Sequence, residues 1–425
     1  MLKAVYPNCA GLDVHKKFVT AYRLTVDAQG TTHAERRKCS TMTADLEELA
    51  TWLSAGHCTH VAMESTGVYW QPIYNILEGR FELFVVNAQA IKRMPGRKTD
   101  MTDAEWIATL MQHGLLQRSF IPDRLQSELR ELSRYRLRLL QERTRFANRL
   151  QKVLEGTNGT SRVPPRGIKL SAVVSDLQGV SAQAILRQLL AGETDPHVLA
   201  ELAKTSLRRK RAELERALVG QITPHQRYLL SDLLVHLDFL DDQIAQQEAH
   251  VEQQLSRMPR YAEVVQLLDT IPGIDRQLAI LIVAEIGVDM SRFPSDRHLT
   301  AWAGVAPGNN ETGGKRRLGQ TRQGNKYLCS GLVLGAQGAA RTKGSYLQSL
   351  YHRIAARRGK GRAAVAVGRT ILQMAYYMIS RNQVYRELGA NYLDALDQQR
   401  TAKRLIQRLE ALGFEVHATE RAVTA

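Results

Sequence analysis

The hydrophobic pattern of this 425-residue chain changes its period near residue 123, and the change separates two kinds of fold. Before it, short β-rich runs with apolar residues at every second position alternate with helical runs. After it, apolar residues recur in steps of four and three, which is typical of long paired helices. One small domain does not accommodate both patterns, and the length suffices for about 2–4 domains.

The first 122 residues predict a mixed sheet flanked by helices. Strands are predicted at 9–14, 18–26, 33–41, 58–64 and 81–86, and helices at 43–55, 69–78 and 102–113. Three consecutive strands followed by alternating helices and strands indicate an α/β fold, and this order is compatible with a ribonuclease H-like domain. We therefore predict an α/β catalytic domain over residues 1–122.

Residues 123–257 predict a helical spacer with coiled-coil character. Its first helix has a heptad seam with arginine at two core positions, formed by Leu125, Leu129, Leu132, Arg136, Leu139, Arg143, Phe146, Leu150 and Val153. Glycine and proline mark a linker at 156–166, and a second heptad-like helix is predicted from about Arg227 to Leu255. We interpret the two helices as an assembly spacer.

The C-terminal part predicts a mainly α-helical domain over 258–390, followed by a helix and tail over 391–425. Residues 270–274 form a Pro-Gly turn between two predicted helices. The turn resembles a helix-hairpin-helix, whose amides can bind a DNA phosphate. A hairpin that only packs inside the protein is the alternative.

Charge indicates a polyanionic partner. The chain carries 58 Lys and Arg against 42 Asp and Glu, a net charge of +16. Residues 312–386 contain 15 of the basic residues and no acidic one. Such a stretch would repel itself unless phosphate neutralised it, so we predict contact with nucleic acid. A solvated basic surface is the alternative.

The sequence argues against several classes of protein. No stretch approaches the roughly 18 uninterrupted apolar residues of a membrane span. The N-terminus lacks the pattern of a signal peptide, so we expect a cytoplasmic protein. Cys9, Cys39, Cys58 and Cys329 form no C-x-x-C pair, which argues against a disulfide framework and a thiolate zinc site.

Two acidic residues interrupt apolar strands. Asp13 lies in the apolar run 10–14, and Glu64 ends the run 61–64. A carboxylate in such a strand is costly unless something compensates it, and a metal ion is one compensation. A solvated strand end is the alternative.

Two more acidic residues lie where a helix is predicted to begin. Thr102 and Glu105 fit a capping box that starts a helix, and Asp100 and Asp103 lie at the start of that helix. At a spacing of three, both carboxylates can face one point. A purely structural role of an acid at a helix start is the alternative. Four such carboxylates would supply hard oxygen ligands for Mg²⁺ or Mn²⁺ in phosphoryl transfer.

The sequence also resembles a known family. Three strings of this chain resemble the DEDD tetrad of the RuvC-like domain in a family of bacterial insertion-sequence transposases. They are GLDVHK (11–16), MESTG (63–67) and KTDMTDAEW (98–106). The second conserved domain of that family resembles WAGVAPGNNETGGKRRLGQTRQGNKYL (302–328). The resemblance covers nearly the whole chain. It implies that Mg²⁺, with Mn²⁺ as a substitute, is held by Asp13, Glu64, Asp100 and Asp103.

The resemblance further implies a hydroxyl nucleophile. The family carries serine after the Glu of its N-N-E-x-x-G-K segment, and this chain has Thr312 there. A threonine hydroxyl is chemically competent, but its methyl group crowds the approach to phosphorus. Ser330 and Tyr327 lie nearby in sequence as alternatives, and a loop threonine with only a local hydrogen bond is another.

Members of the family are bridge-RNA-guided recombinases, in which an RNA specifies donor and target DNA. Neither basic cluster of this chain shows a base-reading motif, which agrees with an RNA guide. The predicted nucleic-acid contacts are Lys315, Arg316, Arg317, Arg322 and Lys326, and then Arg357, Arg358, Lys360 and Arg362. Because about 210 residues separate Asp103 from Thr312, we expect a homo-oligomer, a dimer or a tetramer, that assembles the site.

We therefore predict a Mg²⁺-dependent DNA recombinase that forms a covalent protein-DNA intermediate. A RuvC-like junction nuclease would use the same carboxylates with water as the nucleophile. A non-catalytic nucleic-acid-binding protein with a degenerate fold is a further alternative. An actin-like ATPase is discounted, because residues 14–16 offer no glycine for a phosphate loop.

Overall fold

The computed structural model describes residues 4–65, 67–88, 91, 94, 102–156, 167–308, 311–312, 315–316, 321, 323–396 and 398–416. Of residues 311, 312, 315, 316, 399–401 and 404 it describes the backbone alone. The chain divides into two compact units, Met1–Pro122 and Asp123–Ala425. No helix within these described ranges is long and apolar enough to cross a membrane.

A five-stranded mixed sheet forms the centre of the first unit. Its strands are β1 (Cys9–Val14), β2 (Phe18–Val26), β3 (Thr32–Ser40), β4 (His60–Glu64) and β5 (Glu82–Val86), in the spatial order β3-β2-β1-β4-β5. Strands β1, β2 and β3 pair antiparallel, whereas β4 pairs parallel with both β1 and β5. The predicted mixed sheet is confirmed, and it fits a ribonuclease H-like fold.

Helices cover both faces of this sheet. They are α1 (Thr43–Ala55), α2 (Trp70–Leu77) and α3 (Asp103–Gln112). Side chains alternate along β1, so Leu12 packs with the core of α1 and α2 while Cys9 packs with that of α3. Thr102 caps α3 as predicted, because its hydroxyl oxygen accepts a hydrogen bond from the amide of Glu105 at 3.4 Å.

The second unit is helical apart from one short hairpin. Its helices are α4 (Arg124–Leu154), α5 (Val180–Ala191), α6 (Pro196–Glu201), α7 (Arg211–Leu218), α8 (Pro224–Ser256), α9 (Pro259–Asp269), α10 (Arg276–Ile286), α11 (Asp296–Trp302), α12 (Lys326–Ala339), α13 (Tyr346–Arg358), α14 (Lys360–Arg381), α15 (Tyr392–Ala395) and α16 (Gln398–Glu410). The hairpin consists of β6 (Glu311–Thr312) and β7 (Lys315–Arg316), and 3₁₀ turns lie at Leu170–Ala172, Thr205–Lys210 and Met290–Arg292.

The two long helices α4 and α8 pack against each other within the chain. Gln226 near the start of α8 donates to the carbonyl oxygen of Val153 at the end of α4, at 3.3 Å. At the opposite end, Gln254 donates to Glu128 at 3.0 Å. The helices are therefore antiparallel. Coiled-coil character and the role in assembly stay predictions.

Acidic residues of α8 compensate the two arginines in the predicted seam. Arg136 pairs with Glu248 at 2.6 Å between nitrogen and oxygen, and Arg143 pairs with Asp241. Both arginines are partly buried, so their stems cover apolar surface while their charged ends reach the neighbouring helix. The seam arginines thus help to align α4 with α8.

The part of the sequence between α4 and α8 forms a small hydrophobic core. The sequence pattern did not indicate this core. Helices α5, α6 and α7 pack against the end of α4 and the start of α8, with Ile185, Leu199 and Leu214 among the fully buried residues. Each of these helices is short, so its apolar residues complete too few turns to show a clear period.

The Pro-Gly turn at 270–274 joins α9 to α10 and packs against α12. Gly273 has a φ of 84°, and a Cβ there would lie 2.2 Å from the amide nitrogen of Ala339 and 2.3 Å from the carbonyl oxygen of Gly335. Glycine is therefore required by both the turn and the close contact. This packing supports the alternative of a structural hairpin, and phosphate binding at the turn stays a prediction.

Candidate active site and nucleic-acid interface

One face of β1 approaches the backbone of α3 directly. Cys9, Gly11 and Asp13 alternate onto this face. A Cβ on Gly11 would lie 2.3 Å from both the carbonyl oxygen of Ala104 and the amide nitrogen of Ala108, so only glycine permits the contact. The Cys9 thiol donates to the Ala108 carbonyl oxygen at 3.7 Å. These contacts fix α3 over the strand.

The direction of α3 brings Asp103 toward the end of β1 that carries Asp13. The last residue of the helix, Gln112, accepts backbone hydrogen bonds from Val5 and Tyr6, which precede β1, at 2.8 and 3.0 Å. The helix therefore runs antiparallel to β1, and its first residue lies at the carboxyl end of the strand. The positive end of the helix dipole lies at this end of the sheet as well.

Glu64 ends the neighbouring parallel strand on the same face. The register pairs Leu12 with Met63, so Asp13 and Glu64 are the next residues of two strands about 4.8 Å apart. Ala62, two residues earlier, packs in the core beneath α3, which puts Glu64 on the α3 face of the sheet. The fold thus brings three of the four predicted acids to one end of the sheet.

The donor chemistry of this end fits a hard divalent cation. Asp13, Glu64 and Asp103 offer carboxylate oxygens, which Mg²⁺ and Mn²⁺ prefer as ligands. Within the ranges that the structure describes, no three acidic, histidine or cysteine side chains already form a metal-binding group. The fourth predicted acid, Asp100, lies outside those ranges, so the complete tetrad stays a prediction.

His15 contacts Asp13 directly. Its Nε2 atom donates to Oδ2 of Asp13 at 3.0 Å, and its ring lies 4.4 Å from that of Phe18 between ring centres. The carboxylate is about one quarter exposed. The hydrogen bond occupies one oxygen and restricts the orientation of the carboxylate. The spacing Asp-x-His in the sequence was the available signal for this partner.

The candidate nucleophile Thr312 lies in the short hairpin β6–β7. The antiparallel register places Thr312 opposite Lys315. Two residues separate this pair, and in the sequence both are glycine, which two-residue hairpin loops favour. Of the predicted contacts next to Thr312, Lys315 and Arg316 are described by their backbone, whereas Arg317 and Arg322 lie outside the described residues.

Contacts at both ends close the segment that carries this hairpin. An isolated β-bridge pairs Pro307 with Thr321. A Cβ on Gly324 would lie 2.4 Å from the amide nitrogen of Gly304, so the chain returns directly against the end of α11. Asn325 then caps α12, because its Oδ1 accepts from two amides of the first turn at 3.1 Å. Thr312 therefore belongs to a closed loop.

A buried carboxylate anchors the end of this loop. Glu285 of α10 is fully buried and accepts a hydrogen bond from Nδ2 of Asn325 at 2.5 Å. Arg134 of α4 forms a bidentate pair with it at 2.6 and 2.8 Å, and Arg130 lies 3.5 Å away. These donors compensate the buried charge. The sequence signal for this network was a lone acid in the apolar run of α10.

Three cations lie near the side chain of Tyr327. Arg138 donates to its oxygen at 3.3 Å, and the charged groups of Arg134 and Lys326 lie 4.6 and 5.1 Å from the ring centre. The hydrogen bond from Arg138 holds the pKa of Tyr327 below its usual value, with help from the neighbouring charges. Ser330, the other alternative hydroxyl, is exposed one turn further along α12.

The second predicted basic cluster surrounds the junction of α13 and α14. Arg357 and Arg358 end α13, Lys360 and Arg362 lie in the first turn of α14, and all four are exposed. A Cβ on the intervening Gly359 would meet nothing within 4 Å, so this junction is open to solvent. Four cations on an open corner can contact a phosphate backbone without reading bases.

Two profiles of known families match this chain. Residues 10–158 match the DEDD profile of the IS110 type, described as a transposase, and residues 265–352 match the transposase IS116/IS110/IS902 family. The first match contains all four predicted acids. The second contains Thr312 and the predicted contacts that follow it up to residue 352.

Two curated relatives carry transposase names, and a third is named for inverting a gene. The chain is 28% identical over 173 residues to the transposase for insertion sequence element IS1111A of Coxiella burnetii. The aligned region covers 39% of this chain and 45% of that protein. It is 26% identical over 338 residues to a probable family 20 transposase of Pseudomonas aeruginosa, with coverages of 77% and 85%. A pilin gene-inverting protein of Moraxella bovis is 26% identical over 191 residues, with coverages of 44% and 59%. The match thus spans less than half of the first relative and most of the second.

Proposed function

The chain belongs to the IS110 family of DEDD insertion-sequence transposases, and on this basis we propose that it is a DNA recombinase that cuts and rejoins strands to move such an element. The observation that carries the proposal is the placement of Asp13, Glu64 and Asp103 at one end of the sheet. Carboxylates so placed can support metal-dependent phosphoryl transfer. The Moraxella bovis relative is named for inverting a gene, and inversion requires cut strands to be rejoined.

Asp13, Glu64, Asp100 and Asp103 would hold Mg²⁺, and Mn²⁺ is expected to substitute. A divalent cation bound there supplies positive charge against the charge that develops on the scissile phosphate. His15 restricts the orientation of the Asp13 carboxylate through its hydrogen bond. Asp103 lies in the first turn of α3, at the positive end of the helix dipole.

Thr312 is the proposed nucleophile. Its hydroxyl oxygen bonds to phosphorus and gives up its proton, and the bond from phosphorus to one DNA strand end breaks, which leaves a free hydroxyl on that strand. A hydroxyl of the second strand then attacks the phosphothreonine and releases Thr312. Because the phosphodiester energy is kept in the intermediate, rejoining needs no ATP. Attack by water would discard that energy.

We also propose that the segment 312–386 contacts donor and target DNA, and that a bridge RNA selects both. The exposed cations at Arg357, Arg358, Lys360 and Arg362 support contact with phosphate rather than with base edges. A protein that reads no bases itself leaves sequence selection to pairing with a guide. The working form is proposed to be a dimer or a tetramer in the cytoplasm.

The decisive experiment incubates end-labelled DNA and Mg²⁺ with the wild type and with Thr312→Ala and Thr312→Ser, denatures the protein and looks for label that migrates with it. We expect an adduct from the wild type and from Thr312→Ser, and none from Thr312→Ala. Thr321→Ala, a threonine of the same segment, is the matched control and should behave as the wild type.

Each competing function predicts a different result. An adduct formed by Thr312→Ala would move the nucleophile to Tyr327 or Ser330. Cleavage without any adduct would favour the hydrolytic junction nuclease. Binding without Mg²⁺-dependent cleavage would favour the non-catalytic protein. Sequencing of RNA that copurifies with the wild type tests the guide separately, and the absence of a defined RNA would remove it.

A further inference from the structure

A groove of about 430 Å³ lies along the C-terminal half of α14 and the segment that follows it. Its volume falls within the range of about 300–1,000 Å³ that is typical of sites for small organic groups. None of the residues proposed for strand cleavage lines it. The groove therefore needs an explanation of its own.

An exposed aromatic ring lies in this groove. Tyr377 is 42% exposed, although its hydroxyl donates to Asp296 at 3.3 Å and its ring lies nearly perpendicular to that of Tyr376, with 5.3 Å between ring centres. These contacts fix the plane of the ring. A ring that is both held and partly exposed offers a surface on which a flat group can stack at little cost in entropy.

Two arginines give the groove a positive charge. Arg381 lies with its guanidinium over the Tyr377 ring, 4.9 Å from the ring centre, and Arg386 lines the groove and is exposed. Both belong to the stretch 312–386, which contains no acidic residue. A planar cation over one face of a partly exposed aromatic ring suits a nucleobase that stacks on the remaining ring surface and a phosphate that contacts the cation.

The acidic groups near the groove already have partners. Asp296 is 9% exposed and accepts hydrogen bonds from Gln373 at 2.5 Å and from Tyr377. Glu387 accepts from the backbone amide of Tyr346 at 2.7 Å and from the hydroxyl of Tyr385 at 3.0 Å. Asp296 is thus nearly withdrawn from solvent, whereas Glu387 is exposed but held by internal hydrogen bonds next to the exposed Arg386.

From this combination we propose that the groove binds one unpaired nucleotide of a nucleic-acid strand. Its base stacks on Tyr377, and its phosphate contacts Arg381 and Arg386. Bases inside a duplex have no free face, so the groove selects single-stranded or extruded nucleotides. This proposal rests on the proposed function only in taking nucleic acid as the partner, and it assigns a site separate from the strand-cleaving residues.

The test measures binding of the full chain to a short single strand that contains 2-aminopurine, and to the matching duplex, as DNA and as RNA. Tyr377→Leu should weaken single-strand binding by about 10-fold and leave duplex binding unchanged, because only the stacking surface is lost. Tyr377→Phe keeps the ring and loses the hydroxyl, so it should bind as the wild type. Fluorescence quenching of the 2-aminopurine should disappear with Tyr377→Leu alone.

Salt dependence separates the two parts of the site. Replacing Arg381 and Arg386 together by Gln should reduce the slope of log K against log salt for the single strand by about 0.7, the value for the one phosphate that both contact. Tyr377→Leu should leave this slope unchanged. A preference for the RNA strand would identify a guide as the occupant of the groove. A preference for the DNA strand would identify a displaced substrate strand. Both results support the site.

Several outcomes would overturn the proposal. One is that Tyr377→Leu weakens duplex binding as much as single-strand binding, and another is that it weakens neither. A third is that Tyr377→Phe weakens single-strand binding as much as Tyr377→Leu does, which would assign the effect to the contact with Asp296. If Tyr377→Leu does not fold, ultraviolet crosslinking of the wild type to the single strand replaces it. A crosslink within 370–388 supports the site, and crosslinks confined to other segments refute it.

The same experiments keep this proposal separate from the proposed function. A wild type that forms the Thr312 adduct but binds single strands independently of Tyr377 would remove the groove alone. Binding that depends on Tyr377 without any adduct would remove the nucleophile alone.

Discussion

The acid end of the sheet and the Thr312 loop are held in place by different means. Asp13 and Glu64 follow the last paired residues of two parallel strands in one register, and Asp103 begins a helix that packs on Gly11 and points its start to the same end. The Thr312 hairpin has strands of only two residues each, and the end of its loop is tied to Glu285 of a distant helix. Regular backbone packing thus positions the acids, whereas a buried charge network holds the end of the Thr312 loop.

The largest effect is expected from Asp13→Asn. Losing one charged ligand should lower Mg²⁺-dependent cleavage by at least about 100-fold, since even partners one shell further from a metal are worth about 10–100-fold. Because the strand pairing does not depend on this side chain, the melting temperature and DNA binding should stay near the wild-type values. Cleavage kinetics, calorimetry and a binding assay together check this. An equal loss of DNA binding would make the acid structural.

Glu285→Gln tests the buried charge network at the end of the Thr312 loop. Removing a buried charge leaves Arg134 and Arg130 without their shared partner, so the free energy of unfolding of the second unit should fall by about 3 kcal/mol. Denaturant unfolding measures this change. Glu248→Gln, which affects the partly exposed pair with Arg136, is the control and should cost less than about 1 kcal/mol. Similar losses in both variants would show that the loop does not depend on this network.

A smaller effect is expected at the open corner of α13 and α14. Replacing Arg357 and Arg358 together by Ala should weaken nucleic-acid binding for all sequences and reduce the salt slope by about two units, one for each lost phosphate contact. The free energy of unfolding should not change. Arg187→Ala, which removes an exposed arginine paired with Asp238, is the control. A slope that both variants reduce equally would mean that net charge alone matters.

The smallest effect concerns the ionisation of Tyr327. Its pKa is lowered in the folded protein, so ionisation favours folding; this contribution is present above the unfolded value near 10 and is lost as pH falls through the lower folded value. The difference in tyrosinate absorbance between the wild type and Tyr327→Phe measures that pKa. Arg138→Ala should raise it. An unchanged pKa would remove Arg138 as its cause.

Much of the first unit could be predicted from sequence. Strand and helix bounds agree with the predictions within two residues, because alternation and capping signals are local. Helices α5 to α7 and the contact between Gly273 and α12 could not be predicted, because they depend on which segments meet in space. The Glu285 network joins residues 151 positions apart, and no spacing rule relates them.

The sequence by itself determined the kinds of element, the basic character of the segment 312–386 and the candidate acids. These follow from periodicity and charge, which each stretch of chain carries independently of the others. Only the tertiary structure decided that α3 runs antiparallel to β1, which brings Asp103 toward Asp13, and that Glu285 anchors the Thr312 loop. Both depend on how closely backbones approach and on where a buried charge finds its donors, and such conditions exist only once distant segments are packed together.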